Sequence, residues 1–147
     1  MDSLIARLNE ANARYLVIGG QAVRLHGVPR FSMDWDLFIP PRDEANFEAI
    51  HKALPEDLDL DLLPLGEGGE NVIQTYQTRY GIVQFHLAVP GLSNFDDAER
   101  RAVRITDEDG VPVTCIRADD LLSAKLAANR PQDQQDIAFL RALLAKK

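Results

Sequence analysis

Apolar and polar residues change period along the chain, and each change marks an element. Leu4, Ile5, Leu8 and Ala11 recur at helical spacing behind Asp2 and Ser3, either of which can cap the helix they predict. Tyr15–Ile18 is a short apolar run, read as a strand, and it ends in a Gly19-Gly20 turn. A short helix over Gln21–His26 comes next. In the strand after it, Asp34 and Asp36 share one face, and Met33, Trp35, Leu37 and Ile39 take the other. Pro40-Pro41 stops that strand, and Asp43 caps a helix whose buried stripe is Phe47, Ile50 and Leu54. Asp57, Asp59 and Asp61 then alternate with Leu58, Leu60 and Leu62, which predicts a strand over Leu58–Leu63 with a solvated acidic face.

The second half repeats the same devices. Val72–Thr78 and Gly81–Val89 read as a hairpin, with Val83, Phe85, Leu87 and Val89 on one face of its second strand and Gln84 and His86 on the other. Ser93 or Asn94 can cap a helix from Phe95 to about Ala102, and Val103–Thr106 with Val111–Ile116 forms a second hairpin through Asp109-Gly110. Two helices close the chain. Lys125 lies on the stripe of Leu121 and Leu122 over Asp119–Ala128, Pro131 suits the first turn of the last helix, and Asp136 lines up with Leu140 and Leu143. A carboxylate on a buried stripe wants a partner, and Lys125 or Arg130 can supply it. The elements predict an α/β (α+β) fold, a mixed β-sheet flanked by helices with two C-terminal helices.

Composition narrows the class. A chain of 147 residues that is 46% hydrophobic predicts one domain over 1–147, with a core at about 13–116 and a helical part at about 117–147. A net charge of −7 argues against broad binding to nucleic acid, which takes many Lys and Arg contacts to phosphate. Cys115 is the single cysteine and lies in an alternating run, so it reads as a small buried residue in a protein of the reducing cytosol. No apolar run reaches membrane-spanning length, and the N-terminus lacks the pattern of a signal peptide, so the expected location is cytoplasmic.

The candidate chemistry sits between Tyr15 and Pro40. Paired carboxylates suit Mg²⁺, which takes oxygen ligands and bridges phosphates, and a double-glycine turn lets backbone approach a ligand closely. Gly19, Gly20, Ala22, His26, Gly27, Arg30, Ser32, Asp34 and Asp36 together resemble the signature of the nucleotidyltransferase superfamily of the DNA polymerase β type. The finer pattern is similar to small bacterial members, the abortive-infection toxin type and the lincosamide and aminoglycoside nucleotidyltransferases. The segment DLLSAKLAANRPQDQQDIAFL resembles the C-terminal part of the same proteins.

That resemblance implies a minimal nucleotidyltransferase fold and Mg²⁺-dependent transfer of a nucleoside monophosphate from an NTP to an acceptor, an RNA end such as that of tRNA, a protein or a small molecule. It implies that Asp34 and Asp36 hold metal, that Gly19, Gly20 and Ser32 contact the triphosphate, and that Lys125, with Arg30 as a further candidate, helps to neutralise it. A toxin–antitoxin role, with an antitoxin partner or a homodimer, belongs to the same set of expectations. The sequence departs from the pattern at the third carboxylate: the matching position in Gly81-Ile82-Val83-Gln84 is Gln84, whose amide brings no charge and takes no proton. His86, and Asp61 if its segment runs beside Asp34, are the residues that can compensate. Two readings therefore stay open, an active transferase and a catalytically impaired module that binds a nucleotide or a protein. Both require the Asp34-Trp35-Asp36 triplet to meet the glycine turn in an open cleft.

Overall fold

The computed structural model describes residues 2–29 and 32–146. Six strands form one mixed sheet: β1 (Leu16–Ile18), β2 (Trp35–Phe38), β3 (Ile73–Thr78), β4 (Gly81–His86), β5 (Val103–Thr106) and β6 (Pro112–Cys115), in the order β3-β4-β2-β1-β6-β5. β1 runs antiparallel to β2 and parallel to β6, and β2 runs parallel to β4. The two predicted hairpins, β3–β4 and β5–β6, supply the outer strands. The predicted mixed sheet is therefore present.

Among the described residues the helices are α1 (Leu4–Glu10), α2 (Gly19–Leu25), α3 (Glu44–Ala53), α4 (Phe95–Arg101), α5 (Ala118–Ala128) and α6 (Gln134–Ala145). Three start on the caps that the sequence offers: Ser3, Asp43 and Asn94 accept hydrogen bonds from the backbone N–H of Ala6, Asn46 and Asp97. α5 ends at Asn129 in the left-handed region (φ 47°), and a 3₁₀ turn over Pro131–Asp133 leads into α6. No helix of the described residues is long and apolar enough to cross a membrane.

Paired residues in a ladder project to the same face. Trp35 and Leu37 therefore share one face with Val83 and Phe85, and the last three are fully buried there. On the opposite face lie Ile18, Asp36 and Phe38 of the central strands, with Gln84 and His86 of β4. Phe95 of α4 closes over Phe38 with ring centroids 5.3 Å apart. Cys115 is completely buried and burial pushes its thiol up to about 12, so it is an inert core residue, as its alternating run predicts.

Three expectations need correction. Leu58–Leu63 is not a strand. Leu58 and Leu62 are buried but Leu60 is 73% exposed, and side chains of β3 satisfy the backbone here in place of a ladder. Gln74 bonds both the N–H and the C=O of Leu63, and the Tyr76 hydroxyl donates to the Leu60 carbonyl. Met33 does not join the buried face of Trp35 and Leu37 but is 69% exposed, because β2 begins only at Trp35. For the same reason Asp34 lies one residue ahead of the strand that carries Asp36.

Candidate functional site

β1 ends at Ile18, and the chain enters α2 at once, so the two glycines form the first turn of that helix and not a separate loop. Gly19 has φ +67°, a region that side-chain-bearing residues rarely adopt. The antiparallel register sets Ile18 opposite Asp36, so the turn and the carboxylate meet. A methyl group at Gly19 would stand 2.6 Å from Asp36 Oδ2. Glycine is required here twice, for the backbone angle and for the space.

Asp34 and Asp36 border one open cleft of about 410 Å³. Gly19, Gln84 and His86 complete its sheet side, Val89-Pro90 forms a rim, and α5 supplies the other wall through Leu121, Ala124, Lys125 and Ala128, with Arg130 just beyond. Gln84 pairs directly with Asp36 in the β2–β4 ladder, so its amide stands beside that carboxylate on the same face. His86 reaches back along the same face, and its Nε2 lies 2.8 Å from Asp36 Oδ1. Asp36 is thus held by the imidazole at Oδ1, while its Oδ2 lies beside the glycine turn in room that a side chain at Gly19 would take. Among the described residues no group of three or more His, Cys, Asp or Glu side chains is arranged to hold a metal ion.

The other candidates are placed as follows. Ser32 stands outside this cleft. Its hydroxyl donates to the Asp34 carbonyl (3.3 Å), and its own carbonyl accepts from Gln21 Nε2 (2.8 Å), so it shapes the approach to Asp34. Gly20 follows Gly19 in the helix and does not line the cleft. Arg30 lies outside the described residues. Asp61 is exposed, 3.6 Å from His51 Nδ1, and does not border the cleft, so it does not stand in for the third carboxylate. Lys125 is 7% exposed, and its ammonium lies 3.1 Å from Asp133 Oδ1 and 3.3 Å from Asp136 Oδ2. The partner expected for Asp136 is therefore Lys125.

The sequence pattern understates Arg130. Periodicity offers this residue only as a partner for Asp136, whereas the guanidinium binds Asp133 and borders the cleft. The signal is present in Asn129-Arg130-Pro131, a helix stop followed by a helix start, which swings the intervening side chain out of the helical stripe.

Solved structures share this arrangement of elements. A provisionally assigned nucleotidyltransferase of Thermotoga maritima superposes with a TM-score of 0.66 at 15% identity, over 98% of this chain and 89% of that one. The aminoglycoside nucleotidyltransferase ANT(2'')-Ia, in complex with adenylyl-2''-tobramycin, gives a TM-score of 0.62 at 18% identity, over 97% of this chain and 86% of that one. Its solution structure gives 0.52 at 19% identity, over 97% and 88% of the two chains. The chain has the nucleotidyltransferase fold. No protein-family model and no curated protein matches the sequence. The fold is thus legible in three dimensions at an identity too low to carry an activity with it.

Proposed function

We propose that the chain transfers a nucleoside monophosphate from an NTP to an acceptor, with Mg²⁺ held by Asp34 and Asp36. The single observation carrying this is that Gly19, where a Cβ would meet Asp36 Oδ2, borders the same cleft as Asp34 and Asp36. The donors suit the ion: two carboxylates and the Gln84 amide all offer oxygen, the ligand type that Mg²⁺ prefers. Space that a Cβ at Gly19 would fill is left open beside one of those oxygens. When bound, Mg²⁺ offsets phosphate charge and stabilises the developing charge of phosphoryl transfer.

The chain's own residues do the positioning. His86 fixes Asp36 Oδ1 and so sets which oxygen turns toward the Gly19 side. Gln84 adds a neutral oxygen next to Asp36, so the site carries charge for one ion better than for two. A chain of net charge −7 suits a small cationic acceptor better than an RNA end. ANT(2'')-Ia, in complex with adenylyl-2''-tobramycin, offers the precedent for such an acceptor.

The test is incubation with Mg²⁺, labelled NTPs, and tobramycin or tRNA as acceptor. Label is expected to move to the acceptor, and Asp34→Asn and Asp36→Asn are expected to abolish the transfer while staying folded. The second reading is a module that binds nucleotide without turning it over, and Gln84 beside Asp36 favours it, because the position that would supply a base is neutral. Nucleotide binding without transfer to any acceptor would select it.

A further inference from the structure

A polyphosphate entering a cleft that holds Asp34 and Asp36 needs a cation on the opposite wall. Helix periodicity nominates Lys125, but its charge is taken up inside the protein. Its ammonium is buried between Asp133, itself 1% exposed, and Asp136. An ammonium with two carboxylates at hydrogen-bond distance has little to offer an incoming anion.

Arg130 is built differently. The left-handed turn at Asn129 ends α5, and Arg130 becomes the first residue of the reversal into Pro131–Asp133. Its Nε donates to Asp133 Oδ2 (2.8 Å) and its Nη2 to Asp133 Oδ1 (2.9 Å), while its backbone N–H also donates to Oδ2 (3.3 Å). This two-point grip fixes the plane of the guanidinium and occupies a single edge of it. Nη1 makes no hydrogen bond to a described residue. The side chain is 54% exposed at the cleft wall, and its charge is felt by Asp36. An arginine clamped along one edge by a buried carboxylate, with its other edge turned out, is prepared for an anion.

We infer that Arg130, and not Lys125, receives the phosphate chain of the nucleotide, that Asp133 is the positioning residue that aims it, and that Lys125 keeps Asp133 in place. This rests on the nucleotide-binding reading above. It assigns the three charged residues distinct tasks: one meets the ligand, and two hold it in register.

The experiment is titration calorimetry of the full chain with MgATP, with magnesium tripolyphosphate and with adenosine. Wild-type protein is expected to bind all three, adenosine most weakly. Arg130→Gln is expected to weaken both roughly ten- to hundredfold, the scale of a lost charge-assisted hydrogen bond, and Arg130→Lys to recover part of the loss because it restores charge without the fork. Arg130→Gln is expected to leave adenosine binding unchanged. Equal binding of MgATP by Arg130→Gln and wild type would overturn the inference and leave the nucleotide reading standing. Equal weakening of adenosine would overturn it too, because the variant would then be deforming the cleft. If the wild type binds neither MgATP nor tripolyphosphate, the nucleotide reading falls, and the inference with it.

Discussion

Gly19 directly follows Ile18, the residue opposite Asp36 in the β1–β2 ladder, and a side chain on Gly19 would displace the Asp36 carboxylate. A Cβ on Gly19 would lie 2.6 Å from Asp36 Oδ2 and 3.1 Å from Asp36 Cβ, and Gly19 has φ +67°. Gly19→Ala therefore combines about 1–2 kcal/mol of left-handed backbone strain with a push on the carboxylate. A fall in stability of at least that size is expected in urea titration. A loss of MgATP affinity should accompany it, measured by calorimetry on the fraction that remains folded. Full retention of affinity would mean that Asp36 need not stay where the glycine leaves room for it.

Lys125 makes a prediction of the opposite kind, in which stability moves most. Removing its ammonium leaves Asp133 and Asp136 buried without that ion partner. Breaking a buried pair in this way costs about 3–5 kcal/mol, so Lys125→Met should lower the melting temperature on the order of 10 °C. Arg130→Gln removes a half-exposed side chain and leaves the Lys125 ammonium on Asp133, so it should lower it less. Thermal denaturation of the two variants side by side separates a structural lysine from one spent on ligand.

Much of the fold was legible because local signals agreed with one another. Ser3, Asp43 and Asn94 cap helices where their side chains predict, and both hairpins form around their turn residues. The Leu58–Leu63 segment failed for a long-range reason. Alternation says that a strand is possible, but a strand needs a neighbour, and here Gln74 and Tyr76 satisfy the backbone instead. In the site, the meeting of glycine turn and carboxylate followed from spacing. The His86–Asp36 contact and the division of labour between Lys125 and Arg130 did not, since both depend on register and on the course of the chain after Asn129.

Acid should loosen the C-terminal layer first. Hydrogen bonds from Arg130, then from Lys125, hold the Asp133 carboxyl well below its usual range in spite of burial, which pushes the other way. The folded state thus binds this proton less readily than the unfolded chain, whose carboxyl titrates at about 3.9. The stabilisation is complete well above that value and drains away as pH falls below it toward the folded pKa. The melting temperature should therefore decline most steeply below about pH 4, and Asp133→Asn should flatten that limb while lowering the plateau above it. Asp57 will leave a residual slope: burial pushes its carboxyl up, but the Arg79 backbone N–H and guanidinium outweigh this and hold it low. An acid limb of the same steepness in Asp133→Asn would remove Asp133 from the account.

Gln84 offers the sharpest test of what the cleft lacks. It pairs with Asp36 in the β2–β4 ladder, so Gln84→Asp sets a second carboxylate directly beside the first. Like charges at adjacent cross-strand positions repel, so the variant should melt below wild type in EDTA. Mg²⁺ should reverse this, because a cation shared between the carboxylates stabilises only the folded state and raises the melting temperature by mass action. The gain in melting temperature from EDTA to excess Mg²⁺ should thus be larger in Gln84→Asp than in wild type. The two open readings part at the next step. If wild type binds MgATP without turnover and Gln84→Asp transfers label, the glutamine is what silences the site. If wild type already turns over, then Gln84→Asp should mainly tighten metal binding, seen as half-maximal activity at lower Mg²⁺. A variant that Mg²⁺ fails to stabilise beyond wild type would place the metal away from Asp36, and the assignment of the carboxylate pair would have to be abandoned.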